Sequence, residues 1–237
     1  MEFMQRAWLA GLIMAMICPL IGSFLVLRRQ SLIGDGLGHI AFAGVAGGAL
    51  FGYSPVVSAA VATILGALAI ERVRVKLSDA ADMVLAIFFY SGMGLAVIFT
   101  SMNKEGGFNL GSILFGSLMT VSSRDLYIVA ALGLCTVLFV ILYYRPLQYL
   151  TFDETSAKVA GLPVDKLNML LAVLTALTVA LSMRIVGLLL VSAMMVIPVA
   201  CALQTAKSFA QTILQSMAYG IVAVALGLTT SYYANLA

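Results

Sequence analysis

Residues 24–48 read FLVLRRQSLIGDGLGHIAFAGVAGG. One apolar run ends at the pair Arg28-Arg29, and a second begins that is apolar except for Asp35 and His39 and holds six glycines. The run shows none of the two-residue alternation of a barrel strand, and it is about as long as a helix needs to be to cross a bilayer. The same reading extends along the whole chain. Of 237 residues, 62% are hydrophobic and 10% charged, with a mean hydropathy of +1.09. A water-soluble fold of this length needs a polar exterior that this composition does not supply, whereas lipid removes that demand. The fold class is therefore all-α, a polytopic transmembrane helical bundle.

Charges and turn residues divide the sequence into eight expected spans, near 7–27, 32–52, 54–71, 82–102, 124–144, 164–183, 185–206 and 211–233. The apolar stretch 107–121 is too short to cross and is expected as an interfacial or re-entrant helix. The first span is too long for a signal-peptide core and is expected as a retained helix. If the link after the first span is cytoplasmic, nine of the 13 Lys and Arg fall inside, among them Arg28, Arg29, Arg74 and Lys158. That bias fits the positive-inside rule and puts both chain ends outside. Cys18, Cys135 and Cys201 lie in apolar sequence without CxxC pairing and read as small buried hydrophobes. The net charge of +3 gives no sign of a nucleic-acid partner.

Ionisable groups inside spans are costly and mark ion or substrate paths. Asp35 and His39 are four residues apart, on one helical face, and His39 is the only histidine in the chain. A carboxylate oxygen and an imidazole nitrogen suit a borderline divalent cation, and a transport site has to release its ion, so two ligands suffice. The imidazole ligates only when neutral, so transport through it should fall on acidification. The same spacing also suits a carboxylate at a helix start and a packed histidine, and the residues alone leave both readings open. The glycines allow close backbone approach; GDGLGH lacks dinucleotide-binding spacing. Asp82 is expected at the mouth of the fourth span, as a helix-start residue or a path group. Pro198, inside its span, frees a backbone carbonyl that either accompanies a kink or lines the path.

The longest polar stretch, 145–166, is RPLQYLTFDETSAKVAGLPVDK, and its Gly161-Leu162-Pro163 stops one helix and starts another. Tyr149, Leu150 and Phe152 beside acids point to a protein-docking surface. The sequence lacks a GxGD protease signature, an HExxH motif and a Walker A loop, so it does not read as an enzyme. The classes left are a transporter subunit or, as the alternative, a metal channel or secondary transporter working without an ATPase.

Residues 24–48, with their arginine pair, glycine-aspartate and histidine, resemble the permeases of bacterial zinc, manganese and iron ABC importers. FMQRAWLAGL at 3–12, FGSLMTVSSRDL at 115–126, FDETSAKVAGLPVDKLN at 152–168 and MRIVGLLLVSAMMVIPVACALQTAKS at 183–208 resemble further stretches of that family, in its order. The resemblance runs from about residue 3 to 233; the family pattern continues with another hydrophobic segment where this sequence ends at YYANLA. It implies one transmembrane permease domain over residues 1–237 in a bacterial inner membrane. It also implies a second permease copy, cytoplasmic ATP-binding subunits and an extracytoplasmic metal-binding protein. Asp35 and His39 match the positions associated with metal in the path. Phe152, Asp153, Glu154, Ala160 and Gly161 fall in the inner loop expected to couple to the ATPase. No cofactor is expected to stay bound; the cargo is Zn²⁺ or Mn²⁺, with zinc favoured by the imidazole.

Overall fold

The structure is a computed structural model that describes residues 2–77, 80–103, 114, 116 and 122–234. Among these it has no strand and ten helices, which are α1 Glu2–Leu27, α2 Ile33–Leu50, α3 Pro55–Lys76, α4 Ala81–Met102, α5 Ser123–Leu142, α6 Tyr144–Phe152, α7 Glu154–Val159, α8 Val164–Val186, α9 Leu188–Thr205 and α10 Phe209–Ala234. Eight of them, all but α6 and α7, are long and apolar enough to span a bilayer, as the sequence predicts. The expected helix at 107–121 lies outside the described residues apart from Leu114 and Gly116.

Local chemistry sets the helix ends. Pro55 opens α3, where its missing N–H costs nothing, and Arg74 and Lys76 close it against the negative end of the helix dipole. The span expected to end near residue 71 continues to Lys76 because Arg74 folds back onto Glu71, satisfying both charges without leaving the helix. Ser122 and Asp125 form a reciprocal capping box at the start of α5. Gly161, at φ +77°, takes the left-handed conformation between α7 and α8, and Pro163 follows at the start of α8. Both were legible in GLP.

The chain divides into two compact units. One comprises residues 1–31, 118–152 and 193–237, and the other residues 32–117 and 153–192. In the first, α1 is the central element, packed on α5, α6 and α10. Its contacts are close. A Cβ at Gly220 of α10 would lie 2.5 Å from the carbonyl oxygen of Ala15, the oxygen that Pro19 leaves without its helical N–H partner. Ser23 Oγ donates to Pro19 O at 2.8 Å and lies 3.2 Å from Ser216 Oγ.

In the second unit α2 is central, packed on α3, α4 and α8. Its glycines work as small contact surfaces. A Cβ at Gly44 would lie 2.8 Å from Ser58 O and 2.9 Å from the Ala59 Cα of α3, and one at Gly47 3.3 Å from the Phe99 ring of α4. Arg74 of α3 reaches Glu154 of α7, so the end of α3 and the α7 segment share one side of the membrane.

Candidate functional site

Asp35 is the third residue of α2 and His39 lies one turn later, both half-buried. No side chain caps the start of α2 at Leu32, so the Asp35 carboxylate is the acid of that first turn. Its position favours an anion because the helix dipole is positive there. The His39 ring meets Phe89 of α4 edge-on, with centroids 4.7 Å apart and planes at 75°. Three residues after Phe89, Gly92 brings the α4 backbone against α2: a Cβ there would be 3.0 Å from Ile40 N and 3.1 Å from His39 C. On another side of α2, a Cβ at Gly38 would meet the Leu188 side chain and Val179. The histidine is thus held in place by aromatic and backbone contacts rather than by a hydrogen bond. Its buried Nδ1 has no hydrogen-bond partner among the described residues. Leaving an imidazole nitrogen unpartnered is costly, and such groups usually find a ligand or water.

Among the described residues no three His, Cys, Asp or Glu side chains come together. Among those residues Asp35 and His39 stand as two donors one turn apart on α2. The apolar cleft of about 530 Å³ where α3 and α4 flank α2 is a different feature. Its lining includes Ile40, Val61, Leu65, Leu95 and Phe99, its polar members are Tyr53, Ser58 and Ser91, and no charged residue lines it. It offers an ion nothing.

The other sequence candidates separate. Asp82 is exposed in the first turn of α4, in the helix-start position expected of it. Pro198 is buried within α9, in the part of that helix that belongs to the first unit. Of the inner-loop residues, Phe152 ends α6 in the first unit, 64% exposed, with its ring 5.7 Å from that of Phe209. Residues 153–161 belong to the second. Asp153 caps α7, accepting from Ser156 N at 2.9 Å and from the Ser156 hydroxyl. Those bonds from the Ser156 side chain and backbone hold its carboxyl below the usual carboxylate range. A depressed carboxylate stabilises above its unfolded pKa, so this cap is intact at neutral pH and lost only on strong acidification. Asp153, Val159, Ala160 and Gly161 are exposed, whereas Glu154 is turned toward Arg74 and Asn168. Sequence reasoning missed Phe89, Gly92, Glu71 and Asn168. Gly92, in YSGMGL, carried the one usable signal, a small residue at a span's middle.

The whole chain, residues 1–237, matches the profile of the ABC 3 transport family. It is 37% identical over 235 residues to the probable metal transport system membrane protein of Treponema pallidum, spanning 99% of this chain and 88% of the relative. It is 30% identical over 236 residues to the manganese transport system membrane protein MntC of Halalkalibacterium halodurans, spanning 100% of this chain and 81% of that one. Among solved structures, PsaBC from Streptococcus pneumoniae in complex with Fab superposes with a TM-score of 0.86 at 30% identity, over 100% of this chain and 85% of the matched chain. Eight membrane-length helices, their order and this match along the full length lead to one conclusion: the chain belongs to the ABC 3 transport family, as a multi-pass membrane component rather than an enzyme.

Proposed function

We propose that this chain is the permease subunit of an ATP-driven importer of a divalent metal ion, with Asp35 and His39 as transient ligands in its path. The observation that carries the reading is the His39 ring, fixed by Phe89 and Gly92, with an unpartnered buried Nδ1 one turn from a carboxylate. The relatives' names support metal as the cargo. Those 30–31% identical are called manganese transport or import proteins, which moves manganese ahead of zinc. One oxygen and one nitrogen donor suit either ion.

Two donors bind too weakly to trap an ion, which a transport site needs. A second copy related by a two-fold axis would bring the same pair again, and oligomers of this symmetry are the commonest. The two units would then act as one permease domain over residues 1–237. ATP-binding subunits would dock on the inner loop, where Asp153, Val159, Ala160 and Gly161 are exposed in the second unit; Phe152, also exposed, ends α6 in the first. An extracytoplasmic binding protein would deliver the ion. ATP-driven closure of the inner face would alternate access to the pair. Asp82 serves as the anion at the start of α4, and Pro198 as a helix irregularity in the moving part.

The test is uptake by vesicles holding the assembled transporter, with manganese, zinc and iron compared. Asp35→Ala with His39→Ala should abolish uptake while the complex still assembles. Wild-type uptake by that double variant would remove both residues from the path.

A further inference from the structure

In the second unit, four charged side chains and an amide meet at the inner end of α3. Arg74 donates through Nε to Glu71 Oε2 at 2.9 Å and through Nη2 to Glu71 Oε1 at 2.7 Å, a two-pronged pair on one helix. The side chains of Glu71 and Arg74 are 6% and 13% exposed. The same Nη2 lies 3.4 Å from Oε2 of Glu154 on α7. Asn168 of α8, itself buried, donates through Nδ2 to Glu154 Oε1 at 3.4 Å. Lys158 Nζ lies 3.3 Å from that oxygen.

The arrangement has a tight half and a loose half. Glu71 and Arg74 neutralise each other within α3 at short distance, and Glu154 and Lys158 neutralise each other within α7. The polar contacts that reach from α7 to α3 and α8 include two long ones, both to Glu154, beside the buried Ala157. Removing one partner from a buried pair is expensive because a bare charge stays behind. Here, withdrawing Glu154 leaves neither side with one, since each arginine and lysine keeps its own carboxylate. Opening the contact therefore strands no charge; what it leaves behind is the Asn168 amide.

We propose that Glu154 is a reversible latch by which α7 holds α3 and α8, the helices packed on α2, and is a positioning residue rather than a contact for the ATP-binding subunit. This rests on the reading of α7 and its flanks as the ATPase-docking element. Asp153 and Val159 through Gly161 then face the partner, while Glu154 faces the bundle and passes movement of α7 to the two helices that flank the Asp35 and His39 helix.

The experiment uses the full transporter in liposomes and reads two quantities: the ATP-binding subunit recovered with the permease, and manganese ions moved per ATP hydrolysed. Glu154→Gln keeps the shape and removes the charge. It should leave recovery at the wild-type level and lower the transport-to-hydrolysis ratio about five- to tenfold, the ordinary scale of coupling between sites. Glu154→Asp, which keeps the charge, should recover most of the ratio. Asn168→Leu leaves every ion pair intact and should lower the ratio in the same direction, so the inference stays testable if Glu154→Gln fails to accumulate in the membrane. Loss of the ATP-binding subunit from Glu154→Gln would make Glu154 a docking contact and overturn the latch. So would an unchanged ratio in both Glu154→Gln and Asn168→Leu. If the wild-type permease itself recovers no ATP-binding subunit, the docking reading falls, and the latch with it.

Discussion

Helices α1 and α2 occupy the same rank in their two units, each the element on which its neighbours pack, and each carries polar groups at depth. They treat those groups in opposite ways. On α1, Ser23 is fully enclosed and satisfied, donating to Pro19 O and meeting Ser216 of α10. On α2, His39 is pinned by an aromatic edge and a glycine contact while its buried Nδ1 finds no protein partner among the described residues. Both helices rely on close approach, and both are rigidly placed. The difference lies in whether the polar group is spent on the fold. A satisfied hydroxyl holds helices together; under the proposed function, an imidazole nitrogen held in position and left unsatisfied would be available to cargo.

The sharpest way to break the comparison is at the tightest contact of α1. A Cβ at Gly22 would run into the carbonyl oxygen of Met195 on α9 and lie 2.9 Å from its carbonyl carbon. Backbone cannot rotate out of the way as a side chain can, so the helices must separate. Gly22→Val should cost at least the upper end of the ~1–3 kcal/mol typical of overpacking, and folded protein should largely vanish from the membrane fraction. Detergent-extracted yield and thermal midpoint measure this. A normal midpoint would mean that α1 and α9 are not in this contact in the folded protein.

These packing contacts mark where sequence reading stopped. The eight spans were legible because lipid imposes length and apolarity on every crossing segment, and their ends came within a few residues because Arg74, Lys76, Pro55 and Gly161 are placed by local chemistry. The four-residue spacing of Asp35 and His39 put both on one face of a helix, and both do lie on α2. Phe89 was not, since which helix lies beside α2 is decided by tertiary packing, and a phenylalanine in an apolar span looks like any other. Which neighbours Glu154 meets was not legible either, because the six residues of α7 have too short a period to say which side faces the bundle. In the fold Glu154 lies beside Arg74, eighty positions earlier.

A milder change acts on α2. At Gly92 a Cβ would be 3.0 Å from Ile40 N and 3.1 Å from His39 C, close enough that α4 must step back by a few tenths of an ångström. Gly92→Ala should cost about 1 kcal/mol in stability, the low end for overpacking. Uptake should fall by more than that loss of folded protein explains, because Phe89 on the same helix moves with Gly92 and frees the His39 ring. Comparing uptake per folded transporter with the thermal midpoint separates the two. If uptake follows the amount of folded protein and nothing more, α4 does not set the histidine.

The smallest effect belongs to the satisfied group. Ser23→Ala removes the contact with Ser216 and the bond to Pro19 O, yet the methyl still fills the enclosed site. Interhelical hydrogen bonds within a bilayer are worth about 0.6 kcal/mol on average, since the separated helices also find partners. The thermal midpoint should drop slightly and uptake per folded transporter should stay at the wild-type level. Ser216→Ala should do the same, and the double variant should cost less than the two singly, because both remove one shared contact. A marked fall in uptake from Ser23→Ala would erase the distinction between the helices: a group whose hydrogen bonds are made would then matter to transport as much as one left without a partner, and satisfaction would no longer tell glue from path.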